Sequence, residues 1–160
     1  MIYNKDMTCE IIASNNIVLV DKEDYEYLSQ FRWSINGMGR VGTAIKVNGR
    51  YKSFYMHRMI LNPPKDKTVD HINHDPLDNR RKNLRVCTHQ QNLMNRALFT
   101  NNTSGYKGVY VDKRRGHIYA KISVGGKQIM LGRFSRLQDA SKAYTEAASE
   151  YYGEYAGVAQ

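Results

Sequence analysis

The sequence contains little cysteine and no long apolar segment, and each absence argues against certain classes of protein. Its 160 residues include two cysteines, Cys9 and Cys87, which lie far apart and form no C-x-x-C pair. A zinc knuckle or a redox dithiol is therefore not expected, and the thiols are most simply reduced, as in a cytoplasmic protein. The longest aliphatic run, residues 17–20, is too short for a membrane span or a signal-peptide core. We expect a soluble intracellular protein with no membrane partner.

Acidic residues are scarce relative to basic ones, and the imbalance is uneven along the chain. There are 24 Lys and Arg against 15 Asp and Glu, a formal net charge of +9. Residues 101–136 contain eight basic residues and one acidic residue, whereas residues 1–28 contain two basic and six acidic residues. Because the positive charge is concentrated on particular elements, a polyanionic partner is favoured. An apolar content of 41% is enough for the chain to fold.

The pattern of residues 1–66 predicts a strand-rich N-terminal module. The segments EIIAS and NIVLV predict two strands, separated by a hairpin turn at Asn15-Asn16. Asp21 is placed to cap a helix that has acidic residues in its first turn. RWSI, TAIKV and RYKSFYMH then predict three further strands joined by turns that contain glycine. We expect this module to act as a scaffold, with Trp33 in its core.

Residues 67–97 predict the order strand, loop, strand, helix. The strands are predicted at residues 69–72 and 84–87, and the loop between them contains Pro76. Thr88 and Gln91 form a capping box, and the following helix places Leu93 and Ala97 on one face. Residues 98–104 are polar, show no periodicity and are predicted to be a linker.

Residues 105–160 predict a three-stranded antiparallel sheet packed on one helix. The central strand alternates apolar residues at 118, 120, 122 and 124 with polar residues between them, and a hairpin turn follows at Gly125-Gly126. The helix has an apolar stripe at a period of 3.6, made of Leu137, Ala140, Ala143, Tyr144, Ala147, Ala148 and Tyr151. This helix should cover the apolar face of the sheet and leave the opposite face basic and free. The expected fold class is α+β, with domains at residues 1–97 and 105–160.

The stretch from residue 68 to residue 96 concentrates the residues that suit catalysis, with three histidines and five asparagines. An aspartate beside a histidine on a strand, with amide ligands returning from a helix, suits metal-assisted cleavage of a phosphodiester. Such a site needs hard oxygen donors, a base near neutral pH, and a metal ion that stabilises charge on the phosphate and the departing 3′ oxygen. Asp70 and His71 are adjacent, so a twisted strand end is needed to place both beside one phosphate.

The runs DHIN, LDNRRKNLR and QNLMN resemble the HNH endonucleases of the phage homing type. The resemblance implies a ββα-metal fold for residues 67–97, a divalent ion that is Mg²⁺ or alternatively Mn²⁺, and no structural zinc. It implies that His71 is the general base and that Asn83 holds the histidine ring and the turn. Asp70 is then one metal ligand, and Asn92, 22 residues later, is the second. Asn95 competes for the role of second ligand, but its spacing fits less well.

Other polar residues of this region have alternative interpretations. His74 is expected to face water rather than contact phosphate, and Asn79 to be a turn residue rather than a ligand. His57 is structural or touches the DNA backbone together with a neighbouring arginine, and His89 is a surface residue. Four basic residues form either a solvated turn or, beside a phosphodiester site, clamps that bind the DNA backbone without reading sequence. They are Arg80, Arg81, Lys82 and Arg85.

The segments YKGV, YAKI and LGRF and the alanine-rich helix ending in YYGEYA resemble the APETALA2-type DNA-binding domain, over about residues 104–157. The resemblance implies that the three-stranded sheet enters the major groove of duplex DNA. The arginines and tryptophans that read DNA in the plant family are replaced here, so the plant recognition site cannot be carried over. The implied DNA-contacting positions are Lys107, Tyr110, Tyr119, Lys121, Ser123, Gln128, Met130 and Arg133.

Together these patterns predict a metal-dependent DNA endonuclease of the homing type. It would act as a monomer or weak homodimer, be encoded by a phage, and nick or cleave duplex DNA inside a bacterial host. The expected products are a 5′ phosphate and a 3′ hydroxyl. One alternative is a catalytically silent DNA-binding regulator that keeps the nuclease fold as a scaffold. The other is a protein-interaction module, which would show no salt-dependent affinity for DNA.

Overall fold

The computed structural model of the chain describes residues 8–96, 98 and 102–156 and divides into two compact units, Met1–Asn92 and Leu93–Gln160. Helices alternate with several small sheets whose strands are all antiparallel, as expected for an α+β protein. Within the described residues no helix is both long and apolar enough to cross a membrane.

The division between the units differs from the linker predicted at residues 98–104. The Oδ1 atom of Asn102 accepts hydrogen bonds from the backbone N of Ser104 at 3.0 Å and of Gly105 at 2.7 Å. The hydroxyl of the buried Ser104 donates to the carbonyl of Val109 at 2.8 Å. The polar composition of this segment therefore reflects side chains that fold back on the backbone, and residues 102–104 belong to the second unit. Residues 99–101 lie outside the described residues.

The first unit begins with the hairpin β1 (Thr8–Ala13) and β2 (Asn16–Asp21). Its turn lies at Ser14 and Asn15, whose φ angles are +47° and +65°, one residue earlier than predicted, because Asn16 already pairs with Ala13. Helix α1 (Lys22–Leu28) follows. Asp21 occupies its N-cap position but makes no capping hydrogen bond, since its carboxylate accepts the backbone N–H of Arg81 at 2.6 Å.

A three-stranded sheet comes next, made of β3 (Ser34–Ile35), β4 (Val41–Val47) and β5 (Arg50–Tyr55) in that order. The predicted last strand, RYKSFYMH, ends early because residues 56–61 form helix α2 (Met56–Leu61), which the sequence reading missed. Met56 and Ile60, four residues apart, are both buried against the core of the unit. The alternation in RYKSFYMH concealed this short helix, and only burial of its apolar side identifies it.

The predicted order strand, loop, strand, helix is present in β6 (Thr68–His71), β7 (Leu84–Cys87) and α3 (His89–Met94), with a short 3-10 helix at Arg81–Asn83. The capping box is confirmed by two reciprocal bonds. The backbone N of Thr88 donates to Gln91 Oε1 at 2.8 Å, and the backbone N of Gln91 donates to Thr88 Oγ1 at 3.1 Å. Ala97, predicted to share a face with Leu93, lies outside the described residues.

The second unit contains β8 (Val109–Asp112), β9 (His117–Val124), β10 (Lys127–Phe134) and helix α4 (Leu137–Tyr152), followed by a 3-10 helix at Gly153–Tyr155. β9 is the central strand, and its apolar face packs against the alanines of α4. The apolar stripe of α4 ends one residue later than predicted. Tyr152 is 9% exposed and donates its hydroxyl to Ser123 O at 2.6 Å, whereas Tyr151 is 46% exposed.

Gly108 stands where the loop before β8 passes closest to α4. Its φ is +70°, and a Cβ atom at this position would lie 1.9 Å from the ring of Tyr144. Both the backbone conformation and the space therefore require glycine. The contact fixes the start of the sheet against the helix.

Gly108→Ala should lower the free energy of unfolding of the second unit by about 2–5 kcal/mol, because left-handed strain and a steric clash add together. Gly126→Ala is the matched control, since φ there is +78° but no atom lies within 4 Å of the new methyl group. The control should cost about 1–2 kcal/mol. Hydrogen exchange of the β9 amides under native conditions measures both. Equal losses in the two variants would contradict the packing role of Gly108.

Candidate active site

The end of β6 carries Asp70 and His71, and β7 supplies their cross-strand neighbours. Asp70 lies opposite Arg85, and His71 lies opposite Leu84. Arg85 Nε and Nη2 lie 3.0 Å and 2.7 Å from Asp70 Oδ2. The two side chains are only 12% and 7% exposed, so this is a largely buried, charge-assisted pair. Arg85, predicted as a clamp on DNA, instead holds the carboxylate of Asp70 inside the protein.

The ring of His71 is oriented by Asn79, which the sequence reading took for a turn residue only. The Oδ1 atom of Asn79 lies 3.4 Å from His71 Nε2, a long hydrogen bond. Asn79 is fully buried and donates its amide to Pro76 O at 2.9 Å, so Oδ1 is the atom presented to the ring. A proton on Nε2 lets the neutral ring donate to this oxygen, and this tautomer leaves Nδ1 as the basic nitrogen.

The environment of His71 favours the neutral ring. Burial lowers the pKa of His71 from its ordinary value of 6.5, while the hydrogen bond to Asn79 and the charges of nearby aspartates oppose this shift. Burial is the largest of these effects. A neutral imidazole is the form that can accept a proton.

Asn83 was predicted to hold both the histidine ring and the turn, but its side-chain bonds go to the turn. Its Oδ1 atom accepts the backbone N–H of Asn73 at 3.0 Å, and its Nδ2 atom donates to Asp78 O at 2.7 Å. Asn83 is 6% exposed, so both bonds lie inside the protein. The two roles predicted for Asn83 therefore belong to two residues. Asn83 closes the loop, and Asn79 contacts the histidine ring.

The loop between β6 and β7 is also fixed to the N-terminal hairpin. Leu19 in β2 donates its backbone N–H to Leu77 O at 2.9 Å, and its carbonyl accepts the N–H of Asn79 at 2.8 Å. These two bonds extend the edge of β2 by a short parallel bridge to Asp78. The N-terminal hairpin therefore positions the residue that orients His71.

His57, at the start of α2, contributes a second buried ring beside His71. The two ring centroids are 5.2 Å apart in an edge arrangement, and Tyr55 stacks on His57 from 5.7 Å. His57 is 7% exposed, which excludes the predicted alternative of contact with the DNA backbone. Its neighbour Arg58 donates to Lys67 O at 3.0 Å. Burial, reinforced by neighbouring positive groups, lowers the pKa of His57 to about 3.

Two other histidines differ in exposure. His89 lies on the surface, as predicted. His74, predicted to face water, has a φ of +66° and a buried Nε2 atom that makes no hydrogen bond within the described part of the chain. The tight turn that follows β6 brings this ring inward.

Ion pairs within the protein occupy most of the residues predicted to clamp DNA. Arg80 binds Asp78 through Nε and Nη2, each at 2.7 Å, and these bonds lower the pKa of the Asp78 carboxyl group. Arg81 binds Asp24 in α1 with two bonds of 2.8 Å. Arg85 is likewise engaged with a carboxylate. Lys82 lies on the surface. The loop charges mainly stabilise the fold because acidic partners lie next to them.

The oxygen donors predicted for a metal ion come from β6 and α3. Asp70 is 6% exposed, and Asn92 is half-buried in the same compact unit, whereas Asn95 falls in the second unit. Within the described ranges no group of three or more His, Cys, Asp or Glu side chains could hold a metal ion. One carboxylate and one amide oxygen nevertheless fit Mg²⁺, which typically keeps several waters and takes substrate phosphate oxygens as further ligands.

The second unit brings seven of the eight predicted DNA-contacting residues onto one sheet face. Tyr119 pairs with both Tyr110 and Arg133, Lys121 pairs with Met130, and Ser123 pairs with Gln128. This face lies opposite the one that packs on α4. Tyr110 and Met130 are about half exposed, at 51% and 53%, and the ammonium of Lys121 lies 5.5 Å from the ring centroid of Tyr110.

The eighth residue, Lys107, is not part of this face. Its Nζ atom donates to Met94 O at 2.6 Å, and burial lowers its pKa. Sequence reasoning instead missed His117, which alternation with Tyr119 and Lys121 would have placed on the face. Its Nδ1 atom lies 3.0 Å from the hydroxyl of Tyr119, and its Nε2 atom lies 3.5 Å from Arg133.

Comparison with known proteins bears directly on the first unit. The sequence profile described as HNH endonuclease matches residues 62–94. A protein of Acanthamoeba polyphaga mimivirus is named an uncharacterized HNH endonuclease. It is 27% identical to this chain over 150 residues, which cover 90% of this chain and 75% of the mimivirus protein. Protein 3.8 of Escherichia phage T7 is 35% identical over 65 residues, covering 41% of this chain and 54% of that protein. The search of solved structures gives no match.

The matched range contains Asp70, His71, Asn83 and Asn92. It therefore covers the strands, loop and helix that carry these residues. The profile and the mimivirus relative support an endonuclease of the HNH type that acts on DNA, which confirms the nuclease part of the prediction.

The low pKa of His57 predicts acid sensitivity that depends on this one ring. Between pH 6.5 and about pH 3 the unfolded chain binds a proton at His57 that the folded protein excludes, so stability falls as the pH is lowered. The loss should approach 1.4 kcal/mol for each pH unit, about the value of one pKa unit. His57→Phe keeps an aromatic ring and should flatten the pH dependence of the unfolding free energy, measured by urea denaturation. Parallel curves for the variant and the wild type would contradict the assignment.

Proposed function

We propose that this HNH-type endonuclease hydrolyses phosphodiester bonds in duplex DNA, with His71 as its general base and a divalent metal ion held by Asp70 and Asn92. The observation that carries the proposal is the environment of His71. Burial lowers the pKa of His71 and so favours the neutral ring, and the Oδ1 atom of the buried Asn79 lies 3.4 Å from Nε2. The basic Nδ1 atom therefore belongs to a ring of defined orientation, one residue from a buried carboxylate.

The proton and electron movements follow from this arrangement. His71 Nδ1 accepts a proton from water as the water oxygen attacks phosphorus. The bond between phosphorus and the 3′ oxygen breaks as the departing oxygen takes up a proton from solvent water, and His71 then releases the proton that it accepted to solvent. The products carry a 5′ phosphate and a 3′ hydroxyl. Asn79 keeps the ring in place throughout, because its own amide is fixed to Pro76.

HNH endonucleases generally use a divalent metal ion, and we propose Mg²⁺, or alternatively Mn²⁺, for this chain. When bound, the ion would stabilise the charge that develops on the phosphate and on the leaving oxygen. Arg85 is a positioning residue, because its two bonds to Oδ2 favour the ionised carboxylate and restrict its rotation.

The sheet of the second unit is proposed to hold the DNA, as an APETALA2-type domain at residues 105–160 would. Its support is the register, which aligns polar and aromatic side chains on the face opposite α4. A β element of this kind fits the major groove. Lys121 and Arg133 suit phosphate contacts, while Gln128 can read a base edge.

The homing type and the biological setting are further parts of the proposal. Both relatives belong to viruses, one of them a bacteriophage. We propose a phage-type enzyme that acts inside a bacterial host. A single active site cuts one strand, so a monomer would nick, and a double-strand break would need a weak dimer or two successive events.

The direct test is cleavage of supercoiled plasmid in the presence of Mg²⁺. His71→Ala should slow nicking by about 10²–10⁴-fold, the contribution of a general base, while DNA binding in a gel-shift assay is retained. His89→Ala is the matched control, since it removes an exposed histidine of the same segment. Full cleavage by His71→Ala would reject this base. Wild-type protein that binds DNA but cuts none with Mg²⁺ or Mn²⁺ would favour the silent regulator.

The metal assignment predicts a stability change that requires no DNA. Mn²⁺ or Mg²⁺ at about 100 times its Kd should stabilise the wild type by about 2.7 kcal/mol, since the ion binds only the folded state. Asp70→Asn should lose this stabilisation. Asp75→Asn, which changes an exposed carboxylate of the same loop, should retain it. Thermal unfolding with and without the ion measures the difference, and equal shifts in all three proteins would exclude Asp70 as a ligand.

A further inference from the structure

A basic β-ribbon in the first unit has no part in the site described so far. β3 pairs with β4 only at Ser34–Ile35, whereas β4 and β5 continue to pair through to their turn. Residues 43–54 therefore form a two-stranded ribbon, here called the β4–β5 ribbon. Its turn is Asn48-Gly49, with φ angles of +51° and +79°. Near the turn Lys46 and residues 48–53 are exposed, and Tyr51 is 74% exposed.

The ribbon lies in the longest stretch of the chain that lacks acidic residues. Residues 29–65 contain seven Lys and Arg and no Asp or Glu. Three of these cations, Lys46, Arg50 and Lys52, are on the ribbon, and all three are exposed. None of the ion pairs among the described residues involves them. They differ in this respect from the loop arginines, whose charges are balanced within the protein.

The strand register distributes the ribbon cations over two faces. Lys46 lies directly opposite Tyr51, so these two share one face. Arg50 and Lys52 alternate with Tyr51 along β5 and lie on the other face. A two-stranded ribbon fits a DNA groove about 12 Å wide. Cations on both faces would then meet the phosphates on both walls of that groove.

We infer that the β4–β5 ribbon is a second DNA-binding element, which enters a groove of the duplex and contacts backbone phosphates through Lys46, Arg50 and Lys52. The inference rests on the proposed function, because it takes duplex DNA as the substrate. The loop arginines are paired with Asp78, Asp24 and Asp70. The ribbon would instead supply contacts to the DNA backbone. These contacts carry no sequence information.

The ribbon is also connected to the catalytic base by ring contacts. β5 ends at Tyr55, whose ring stacks on His57, and His57 in turn touches His71. All of these residues belong to the first unit. DNA held by the ribbon is therefore held by the same compact unit that contains the base.

The test is the salt dependence of DNA binding by the full chain, measured with fluorescent duplex DNA in EDTA so that no cleavage occurs. Lys46→Gln/Lys52→Gln removes one cation from each face. It should weaken binding at least tenfold and reduce the slope of log K against log salt by about 2, since each phosphate contact contributes about 0.9. Lys65→Gln/Lys142→Gln removes two other exposed lysines and should leave both quantities near the wild-type values.

A hydroxyl-radical footprint locates the contact. The ribbon variant should lose protection of one stretch of backbone, whereas the control variant should keep the wild-type footprint. If the wild type binds DNA but the ribbon variant has the same slope, affinity and footprint as the control, the ribbon inference is overturned and the endonuclease stands. This result would also be expected if the ribbon bound an acidic protein instead. No salt-dependent DNA affinity in the wild type would reject the proposed function itself.

Discussion

Buried polar side chains must find hydrogen-bond partners inside a protein, and this requirement shapes the first unit around the loop between β6 and β7. Asn83 bonds to the backbone of Asn73 and Asp78 in the loop, and Asn79 contacts Pro76 O and the ring of His71. β2 completes the arrangement through two backbone bonds to the loop. The ring of His71 therefore lies against an amide group that cannot change its charge.

Charge balance separates the basic residues into two groups. Arg80, Arg81 and Arg85 lie within reach of carboxylates and serve the fold. Lys46 of the β4–β5 ribbon lies opposite Tyr51, and Lys121 of the sheet in the second unit lies over the ring of Tyr110. A polyanion can bind such surfaces without first breaking an internal ion pair. The affinity for DNA is therefore expected to come from the sheets rather than from the basic loop.

Sequence reasoning failed where the outcome depends on which side chains become buried or paired when the chain folds. Met56 and His57, the first two residues of helix α2, were assigned to the preceding strand, because alternation along a short segment cannot show which side is buried. Lys107 was assigned to DNA, but it is half-buried and its ammonium donates to the carbonyl of Met94. Charge counts along the chain emphasised the basic segment of the second unit and passed over residues 29–65, whose charge is just as one-sided.

The sequence by itself determined what depends on neighbouring residues. The capping box joins residues three apart, the strands of the second unit follow from alternation, and the HNH motif is recognised by its spacing. Tertiary structure decided which partners meet across long separations. Arg81 binds Asp24, 57 residues away, and Asp70 is held by Arg85 from the next strand. Such partners are fixed only when the chain returns on itself, because several residues of suitable chemistry compete for each one until packing selects among them.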